Sequence, residues 1–246
     1  KNIDLTISSA KPPIFWKEKE ITKQQIYKWK PKNIKKLIFA STAAVYGDPE
    51  DYPVNEKSRV NPVNVYGATK LEIDRYLEEN AKSLGISSIC FRFFNIGGAL
   101  QTKKGNWLKI KHEGATHLIP SILHSSSKKP LLIFGNDWPT KDGTPIRDFV
   151  YAGDVAEAVL DLYERELHTV VNFGAGEEIT IKSMIEDLIE ISGKKLEIVW
   201  DDTKPNGDMR RQMDTTKQKQ LYLLPKTSFK DALKITYEYY INNLQK

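Results

Sequence analysis

The sequence predicts an α/β fold organised around a mainly parallel β-sheet. Short apolar runs alternate along the chain with longer segments of helical periodicity, which is the order of elements in such folds. The runs are almost continuously apolar, as expected of parallel strands that are covered on both faces. Turn and capping residues stand between the two kinds of segment and mark their ends.

Five short runs rich in branched and aromatic residues predict strands: Leu37–Ala40, Ser88–Phe91, Leu131–Phe134, Thr169–Phe173 and Leu196–Trp200. Three segments with helically spaced apolar residues predict helices: Tyr66–Leu84, Asp154–Glu166 and Thr180–Ser192. Thr180 is the expected N-cap of the last one, and Gly193 is its expected stop. Ser228 and Asp231 resemble a capping box that opens a final helix toward Leu244.

The regular alternation is interrupted by a long polar stretch, Asn95–Lys129, that contains several glycines. We expect the chain to pass there from a sheet domain, residues 1–95, into a smaller and looser α/β domain, residues 96–246. Some segments of the second part, about residues 145–175, are expected to return to the first domain. A cleft between two such domains is a usual place for a ligand.

The composition argues against several classes of protein. The single cysteine, Cys90, excludes an internal disulfide framework and a cysteine-based zinc site, so we expect a cytoplasmic protein and no metal site. No apolar run approaches about eighteen residues, which argues against a membrane span. The net charge of +5 lies mainly in lysine-rich segments without a nucleic-acid-binding motif. We therefore expect no nucleic-acid partner, and a basic surface that could help to capture a phosphorylated small molecule.

The segment YGATK, which begins at Tyr66 and ends at Lys70, is the strongest local signal for chemistry. These two residues are four positions apart in a predicted helix, so their side chains leave from one face. An ammonium group beside a phenol stabilises the phenolate, which can act as a general base. Upstream, the first predicted strand runs into Ser41 and Thr42. Two hydroxyl groups are thereby placed at the carboxyl end of a strand, where open α/β sheets bind ligands.

Further segments follow in a characteristic order. The set comprises STAAVYG (Ser41–Gly47), YGATK (Tyr66–Lys70), FFN (Phe93–Asn95), THLIP (Thr116–Pro120), FGNDWPT (Phe134–Thr140) and GTPIRDF (Gly143–Phe149). Together these segments resemble the extended short-chain dehydrogenase/reductase superfamily, and most closely its UDP-glucose 4-epimerases, over residues 36–246. The resemblance implies a Rossmann-like dinucleotide-binding domain that is incomplete at its amino end, NAD as the cofactor, and a nucleotide sugar, most closely a UDP-sugar, as the substrate.

The resemblance also implies roles for residues of the first domain. In that family the tyrosine at the position of Tyr66 takes the proton of a sugar hydroxyl while NAD takes hydride from the same carbon. The 4-keto sugar then turns over, and hydride returns to its other face. Thr42 matches the residue that hydrogen-bonds the reacting oxygen, and Lys70 matches the lysine that holds the nicotinamide ribose. Ser41 and Phe93 fall at positions implied to contact the cofactor.

For the nucleotide sugar, the resemblance implies six further residues: Asn95 near the diphosphate, His117 and Leu118 lining that site, Phe134 near the base, Arg147 on a phosphate, and Asp208 at the ribose. An arginine fork suits phosphate because it presents parallel donors. The arginine expected just before Gly207 and Asp208 is absent. Arg210 or Arg211 could replace it, so the identity of the base stays open.

Other readings of the sequence remain open. Ala43 and Ala44 stand where related dehydratases carry an acidic pair, which disfavours elimination of water. The glycine-rich turn expected for the pyrophosphate is missing, because residues 1–36 contain no glycine. Either the natural product is shortened there, or further residues precede the sequence, or another chain supplies the turn. A nucleotide-sugar binder without catalysis and an epimerase for another nucleotide sugar are therefore alternatives, and the resemblance implies a homodimer.

Overall fold

The structure, a computed structural model, describes residues 35–102, 105–108, 118–125, 130–201 and 208–243. The strands are β1 (Lys36–Thr42), β2 (Ser87–Phe93), β3 (Asn95–Gly97), β4 (Leu131–Phe134), β5 (Ile146–Arg147), β6 (Phe149–Tyr151), β7 (Thr169–Phe173), β8 (Ile179–Thr180), β9 (Ile198–Asp201) and β10 (Arg210–Arg211). The helices are α1 (Val65–Asn80), α2 (Leu118–His124), α3 (Ala152–Tyr163), α4 (Ile181–Ser192), α5 (Thr216–Gln220) and α6 (Phe229–Asn243).

The first compact unit contains the described residues up to Phe94, together with Glu157–Phe173 and Met213–Leu223. Its sheet has the strand order β1-β2-β7 and is parallel throughout. Helix α1 follows β1 and precedes β2 in the chain, which makes the three elements a strand–helix–strand crossover. The predicted α/β fold with a mainly parallel sheet is confirmed.

Side chains of this sheet alternate between its two faces. On one face, Leu37, Phe39, Cys90 and Val170 form a buried cluster with residues of α1 such as Leu77. Each large apolar side chain that is fully buried in this way contributes about 1.5–3 kcal/mol to stability. Toward the carboxyl ends of β1 and β2 this apolar face gives way to polar residues.

The second compact unit contains the described residues of Asn95–Ala156, Gly174–Gln212 and Leu224–Lys246. Its strands form the parallel pairs β3–β6 and β4–β9 and a mixed sheet of order β10-β5-β8. Its core lies around α4 and α6. The segment that returns to the first unit is shorter than expected, since residues 145–156 stay in the second unit, and Met213–Leu223 returns as well.

The predicted helix ends are confirmed where capping chemistry marks them. The hydroxyl of Thr180 accepts the N–H of Ser183 at 3.1 Å at the start of α4. Gly193 ends that helix in the left-handed region with φ of 63°, which glycine adopts without steric cost. At the start of α6, the Ser228 hydroxyl accepts the N–H of Asp231 at 3.2 Å and donates to its carboxylate at 2.7 Å.

Asp148 is a fully buried carboxyl group of the second unit. Its two oxygens accept the backbone N–H groups of Ala175 and Gly176 at 2.7 and 2.9 Å. Burial raises the pKa of Asp148 to about 6, although these two hydrogen bonds oppose the shift. The folded protein therefore binds this proton more tightly than the unfolded chain does.

The free energy of unfolding is expected to fall as pH rises from 3.8 through about 6, because the stability that Asp148 adds in its protonated form is lost in that range. Asp148→Asn should remove this part of the pH dependence, measured by urea unfolding at a series of pH values. Asp137→Asn, which neutralises an exposed carboxylate, is the control and should keep the wild-type dependence. If the free energy of unfolding of Asp148→Asn keeps the wild-type pH dependence, Asp148 is not the group that causes it.

Candidate active site

The carboxyl end of β1 presents the first group of the candidate site. Thr42 is the last residue of β1 and lies in register with Phe93, the last residue of β2. The chain then makes a single turn of 3-10 helix, Ala43–Val45, for which Thr42 is the N-cap. The Thr42 hydroxyl oxygen accepts the N–H of Ala44 at 3.2 Å. This bond uses the oxygen as an acceptor and leaves the hydroxyl hydrogen available to a ligand.

The start of α1 presents the second group. Asn64 caps the helix by accepting the N–H of Gly67 at 2.8 Å. A Cβ added at Gly67 would lie 2.4 Å from the backbone oxygen of Ala44, so only glycine allows the helix to approach the turn after Thr42 this closely. The first turn of α1, which carries Tyr66, is thereby held against the end of β1.

Tyr66 and Lys70 lie on one face of α1, as predicted. The Lys70 ammonium is 5.7 Å from the centre of the Tyr66 ring. Lys70 is almost fully buried and donates a hydrogen bond of 2.7 Å to the backbone oxygen of Ala40 in β1. Tyr66 is 39% exposed, so its hydroxyl can reach a ligand. Burial lowers the pKa of Lys70, and the nearby Asp74 carboxylate opposes that shift.

A buried polar cluster of Ser41, Tyr46, Asp74, Arg92 and Asn172 lies beside these groups. One carboxylate oxygen of Asp74 accepts both the Ser41 hydroxyl and the Arg92 Nε–H at 2.9 Å. Arg92 also donates to the Tyr46 hydroxyl at 3.2 Å, and that hydroxyl donates to Asn172 at 2.6 Å. The cluster spans all three strands of the sheet, because Ser41, Arg92 and Asn172 are register partners.

Most of this cluster was not identified from the sequence, although two signals pointed to it. Asp74 follows Lys70 by four residues and so continues the face that carries Tyr66. Arg92 interrupts an otherwise apolar strand, and a cation in such a place needs a buried anion. Only Ser41 was predicted as a site residue, at the cofactor. Its side chain is 3% exposed and bound to Asp74, so a cofactor contact by Ser41 would use its main chain.

Phe93, the other residue predicted to contact the cofactor, lies on an aromatic face of the sheet. Its ring stacks on Phe91 with centres 5.1 Å apart and meets Phe173 edge-on at 6.3 Å. These contacts hold the ring in a fixed orientation at the end of β2, next to the register position of Thr42. The geometry of the ring is therefore compatible with a flat ligand packing against it.

In the second unit, two arginines stand side by side on neighbouring strands. Arg147 of β5 is the register partner of Arg211 of β10. Arg147 donates to the backbone oxygen of Ile146 at 2.8 Å. Arg211 forms an ion pair with Asp208, and Arg210 forms one with Glu178. The structure thus brings Arg147 and Arg211 together on one small sheet, with Asp208 paired to Arg211.

The remaining predicted substrate residues are placed as follows. Asn95 begins β3, and its side-chain oxygen is buried with no hydrogen-bond partner among the described residues. Leu118 is the first residue of α2 and packs against the core of the second unit. Phe134 ends β4, but its side chain is outside the described part of the structure. His117 lies outside the described residues.

The first unit therefore offers a phenol, a hydroxyl and an ammonium at the end of a parallel strand and the start of a helix. A phenol beside an ammonium can exchange a proton with a bound hydroxyl group, and a second hydroxyl can hold the same oxygen.

Within the described residues, no three His, Cys, Asp or Glu side chains lie close enough to hold a metal ion. None of the described helices has the length and apolar character that crossing a membrane requires.

Comparison with known proteins shows the following similarities. Residues 8–174 match the family model described as the NAD dependent epimerase/dehydratase family. The chain is 34% identical to a UDP-glucose 4-epimerase of Corynebacterium glutamicum over 192 residues, which are 76% of this chain and 57% of the relative. It is 35% identical to a UDP-glucose 4-epimerase of Azospirillum brasilense over 182 residues, 71% of this chain and 51% of the relative. The chain thus spans about half the length of these curated relatives.

Solved structures show the same fold. A UDP-glucose 4-epimerase from Brucella ovis in complex with NAD is 29% identical, with a TM-score of 0.73, and the match covers 82% of this chain and 63% of that one. A UDP-glucuronic acid 4-epimerase from Bacillus cereus, in complex with UDP-glucuronic acid and NAD, is 26% identical, with a TM-score of 0.71. That match covers 89% of this chain and 66% of the other.

Proposed function

This chain belongs to the NAD dependent epimerase/dehydratase family, and we propose that it carries the reacting residues of an NAD-dependent epimerase. The proposed reaction inverts carbon 4 of a nucleotide sugar of the UDP-glucose/UDP-galactose type through a 4-keto intermediate. The observation that carries the proposal is the grouping of Thr42, Tyr66 and Lys70 around the junction of β1 and α1. The relatives named UDP-glucose 4-epimerase support it.

Each of the three residues has a distinct task in the proposed reaction. Tyr66 accepts the proton of the 4-hydroxyl group as the carbon is oxidised, and gives a proton back when the 4-keto group is reduced. Thr42 donates its free hydroxyl hydrogen to the reacting oxygen and so holds it in place. Lys70 supplies positive charge beside the phenol, which favours the phenolate during proton transfer. NAD, when bound, would supply the chemistry of a hydride acceptor and donor at carbon 4.

The residues of the first unit fit the nicotinamide-ribose end of NAD. Lys70 uses one of its three ammonium hydrogens on Ala40, which leaves two for ribose hydroxyl groups. The Phe93 ring at the end of β2 offers a flat apolar surface for the nicotinamide. Phe93 is the last residue of β2, and the Lys70 ammonium binds Ala40 near the carboxyl end of β1, where open α/β sheets bind such ligands. We assign no described residue to the pyrophosphate.

In the second unit we propose that Arg147 and Arg211 bind the diphosphate of the nucleotide sugar. As register partners, their side chains leave the same face of the sheet, and two guanidinium groups can engage two phosphate groups. Arg210 lies one position away and therefore on the opposite face, where it pairs with Glu178. Of the two alternatives for the missing arginine, we therefore favour Arg211. Asp208, proposed for the ribose, is its ion-pair partner.

We also propose substrate contacts by four further residues: Asn95, Leu118, Phe134 and His117. Within the described residues the buried side-chain oxygen of Asn95, an acceptor, has no hydrogen-bond partner, which suits a sugar or ribose hydroxyl group. Contact with the diphosphate would use its amide nitrogen instead.

We also propose a cytoplasmic homodimer, in which the largely exposed Val63 and Val65 at the start of α1 contribute apolar surface to the interface.

The same reaction on a different nucleotide sugar is the second candidate. It is favoured by the Arg147–Arg211 arrangement, because the arginine expected on the other side of Gly207 and Asp208 is absent. The similarity to a UDP-glucuronic acid 4-epimerase is compatible with it. This candidate shares Tyr66, Lys70 and Thr42 with the first, and differs only in the groups that select the base and the sugar.

Incubation of the purified protein with NAD and UDP-galactose is expected to yield UDP-glucose, and the reverse reaction to yield UDP-galactose. Product analysis by chromatography across UDP-, GDP- and dTDP-sugars decides between the two candidates. Inversion of another nucleotide sugar alone would support the second. If UDP-sugars bind, as measured by calorimetry, but no nucleotide sugar is inverted with NAD present, the epimerase proposal is wrong and a non-catalytic binding protein is favoured.

A further inference from the structure

One face of α1 carries three ionisable residues in successive turns. Tyr66, Lys70 and Asp74 are spaced four residues apart, so their side chains follow each other along the helix. Their exposure falls from 39% at Tyr66 to 4% at Lys70 and 0% at Asp74. The line therefore runs from the solvent-accessible phenol into the interior of the first unit, and Lys70 stands between the other two.

The interior end of this line holds an ion pair that the proposed chemistry does not use. Arg92 donates its Nε–H to the Asp74 carboxylate at 2.9 Å, with 5% and 0% of the two side chains exposed. Ser41 donates to the same oxygen, and the other donor of the cluster, Tyr46, binds Arg92 and Asn172. Taking two charges out of water is costly and seldom stabilises a fold more than apolar residues would. The pair therefore calls for an explanation other than stability.

Lys70 provides that explanation. Its ammonium is buried, bound to the neutral oxygen of Ala40 and lies 4.8 Å from the centre of the Phe39 ring. None of these partners carries a negative charge, and burial by itself disfavours the charged ammonium. Asp74, one helical turn away, is the carboxylate whose charge opposes that effect. Arg92 in turn favours the ionised form of Asp74 against burial.

We propose that Asp74, held by Arg92 and Ser41, is a positioning residue that keeps the Lys70 ammonium charged beside Tyr66. The pair does not touch the substrate or the cofactor, and it acts through Lys70. The charged groups that face this region are Lys70, Asp74 and Glu78 on α1, Arg92 on β2, and Glu56, whose carboxylate accepts the N–H of Asn172 at 2.8 Å. The neutral ionisable groups are Tyr46, on which Glu56 acts, and Cys90, on which Glu78 acts. The inference deepens the proposed function, in which a charged Lys70 is needed for proton transfer.

The test is the titration of Lys70 itself, followed by NMR in protein labelled at the lysine ε-carbon. The Lys70 signal is assigned by its loss in Lys70→Met. In Asp74→Asn its midpoint is expected about one pH unit or more below the wild-type value, as for loss of a neighbouring opposite charge. Glu78→Gln neutralises an exposed carboxylate one turn further along the same helix and is the matched control, with an unchanged midpoint.

Asp74→Asn leaves Arg92 buried without an anion and could unfold the protein. The double variant Asp74→Asn/Arg92→Met removes both charges of the ion pair, so neither Asp74 nor Arg92 is left without its partner. It is therefore expected to fold and still to show a lowered Lys70 midpoint. If Lys70 titrates with the wild-type midpoint in either folded variant, the proposal is wrong. Failure of the double variant to fold also overturns it, because the pair would then serve the fold.

This readout is independent of turnover, so failure of the epimerase proposal leaves it interpretable. If the protein inverts a nucleotide sugar, a second measurement applies. The alkaline limb of the kcat–pH profile should move to lower pH in the Asp74→Asn variant while KM for the nucleotide sugar stays unchanged. A uniform loss of kcat at every pH, with no movement of the limb, would point to a structural effect and contradict the proposal.

Discussion

Replacing Tyr66 by phenylalanine should lower kcat about 10²–10⁴-fold, the usual contribution of a general acid–base group. The phenol oxygen is the atom proposed to exchange the proton, and removing it leaves no group at that place to do so. Because Tyr66 is 39% exposed, removal of its hydroxyl group should not change the fold. Initial rates of nucleotide-sugar inversion with NAD measure the effect.

Binding separates this loss from damage to the site. Tyr66→Phe should keep the wild-type Kd for the UDP-sugar in calorimetry, since the hydroxyl is needed when the proton moves and not for holding the nucleotide. Tyr222→Phe removes the same atom from a tyrosine that is 83% exposed, and it should keep the wild-type rate. A Tyr66→Phe protein with wild-type kcat would show that another group is the base.

Arg92→Met should lower the free energy of unfolding by about 3–5 kcal/mol near neutral pH, the usual cost of breaking a buried ion pair from one side. Methionine keeps an unbranched side chain as far as the Nε position, but it leaves the Asp74 carboxylate, which is 0% exposed, without a charged donor. The Ser41 hydroxyl and the Cys90 thiol are the donors that stay. The Tyr46 hydroxyl loses its contact with Arg92 as well. Chemical denaturation followed by circular dichroism measures the change.

The pH dependence of this loss identifies Asp74 as its source. Burial already raises the pKa of Asp74 while Arg92 opposes the rise, so removing Arg92 raises the pKa of Asp74 further. A carboxyl with a raised pKa stabilises the folded state when protonated and loses that contribution as pH rises. The deficit of Arg92→Met should therefore be smaller at about pH 5 than at about pH 7.

Arg75→Met is the matched control for this experiment. Arg75 is an exposed arginine of α1, next to Asp74 in the chain, and its replacement should change stability by less than about 0.5 kcal/mol. Equal losses in the two variants, or a deficit of Arg92→Met that grows on acidification, would show that the buried pair does not behave as described.

The part of the candidate site that could be predicted is the part whose residues lie close together in the sequence. The pair Tyr66–Lys70 is four residues apart in one helix, so helix geometry alone places both side chains together. Thr42 follows an apolar run, and the end of such a run is readable from the sequence. The Asp74–Arg92 pair was missed because its members are eighteen residues apart in the chain and meet only when β2 packs beside α1.

The second unit was harder to predict for a related reason. The strands β5, β8 and β10 have two residues each, and so short a run shows no periodicity. Such strands form because chain segments more than thirty residues apart are brought together. Only the register of β5 against β10 places Arg147 beside Arg211. That register is the reason why we propose Arg211, and not Arg210, for the diphosphate.

The sequence by itself determined the α/β class, the five main strands, the capped helix ends and the Tyr66–Lys70 face, because these depend on apolar periodicity and on contacts within one turn of chain. Tertiary structure alone decided which buried charges pair, which arginine lies beside Arg147, and that the Ser41 hydroxyl donates its hydrogen bond to Asp74. These features depend on register and burial. Both follow from which distant segments pack together, and a single stretch of sequence does not contain that information.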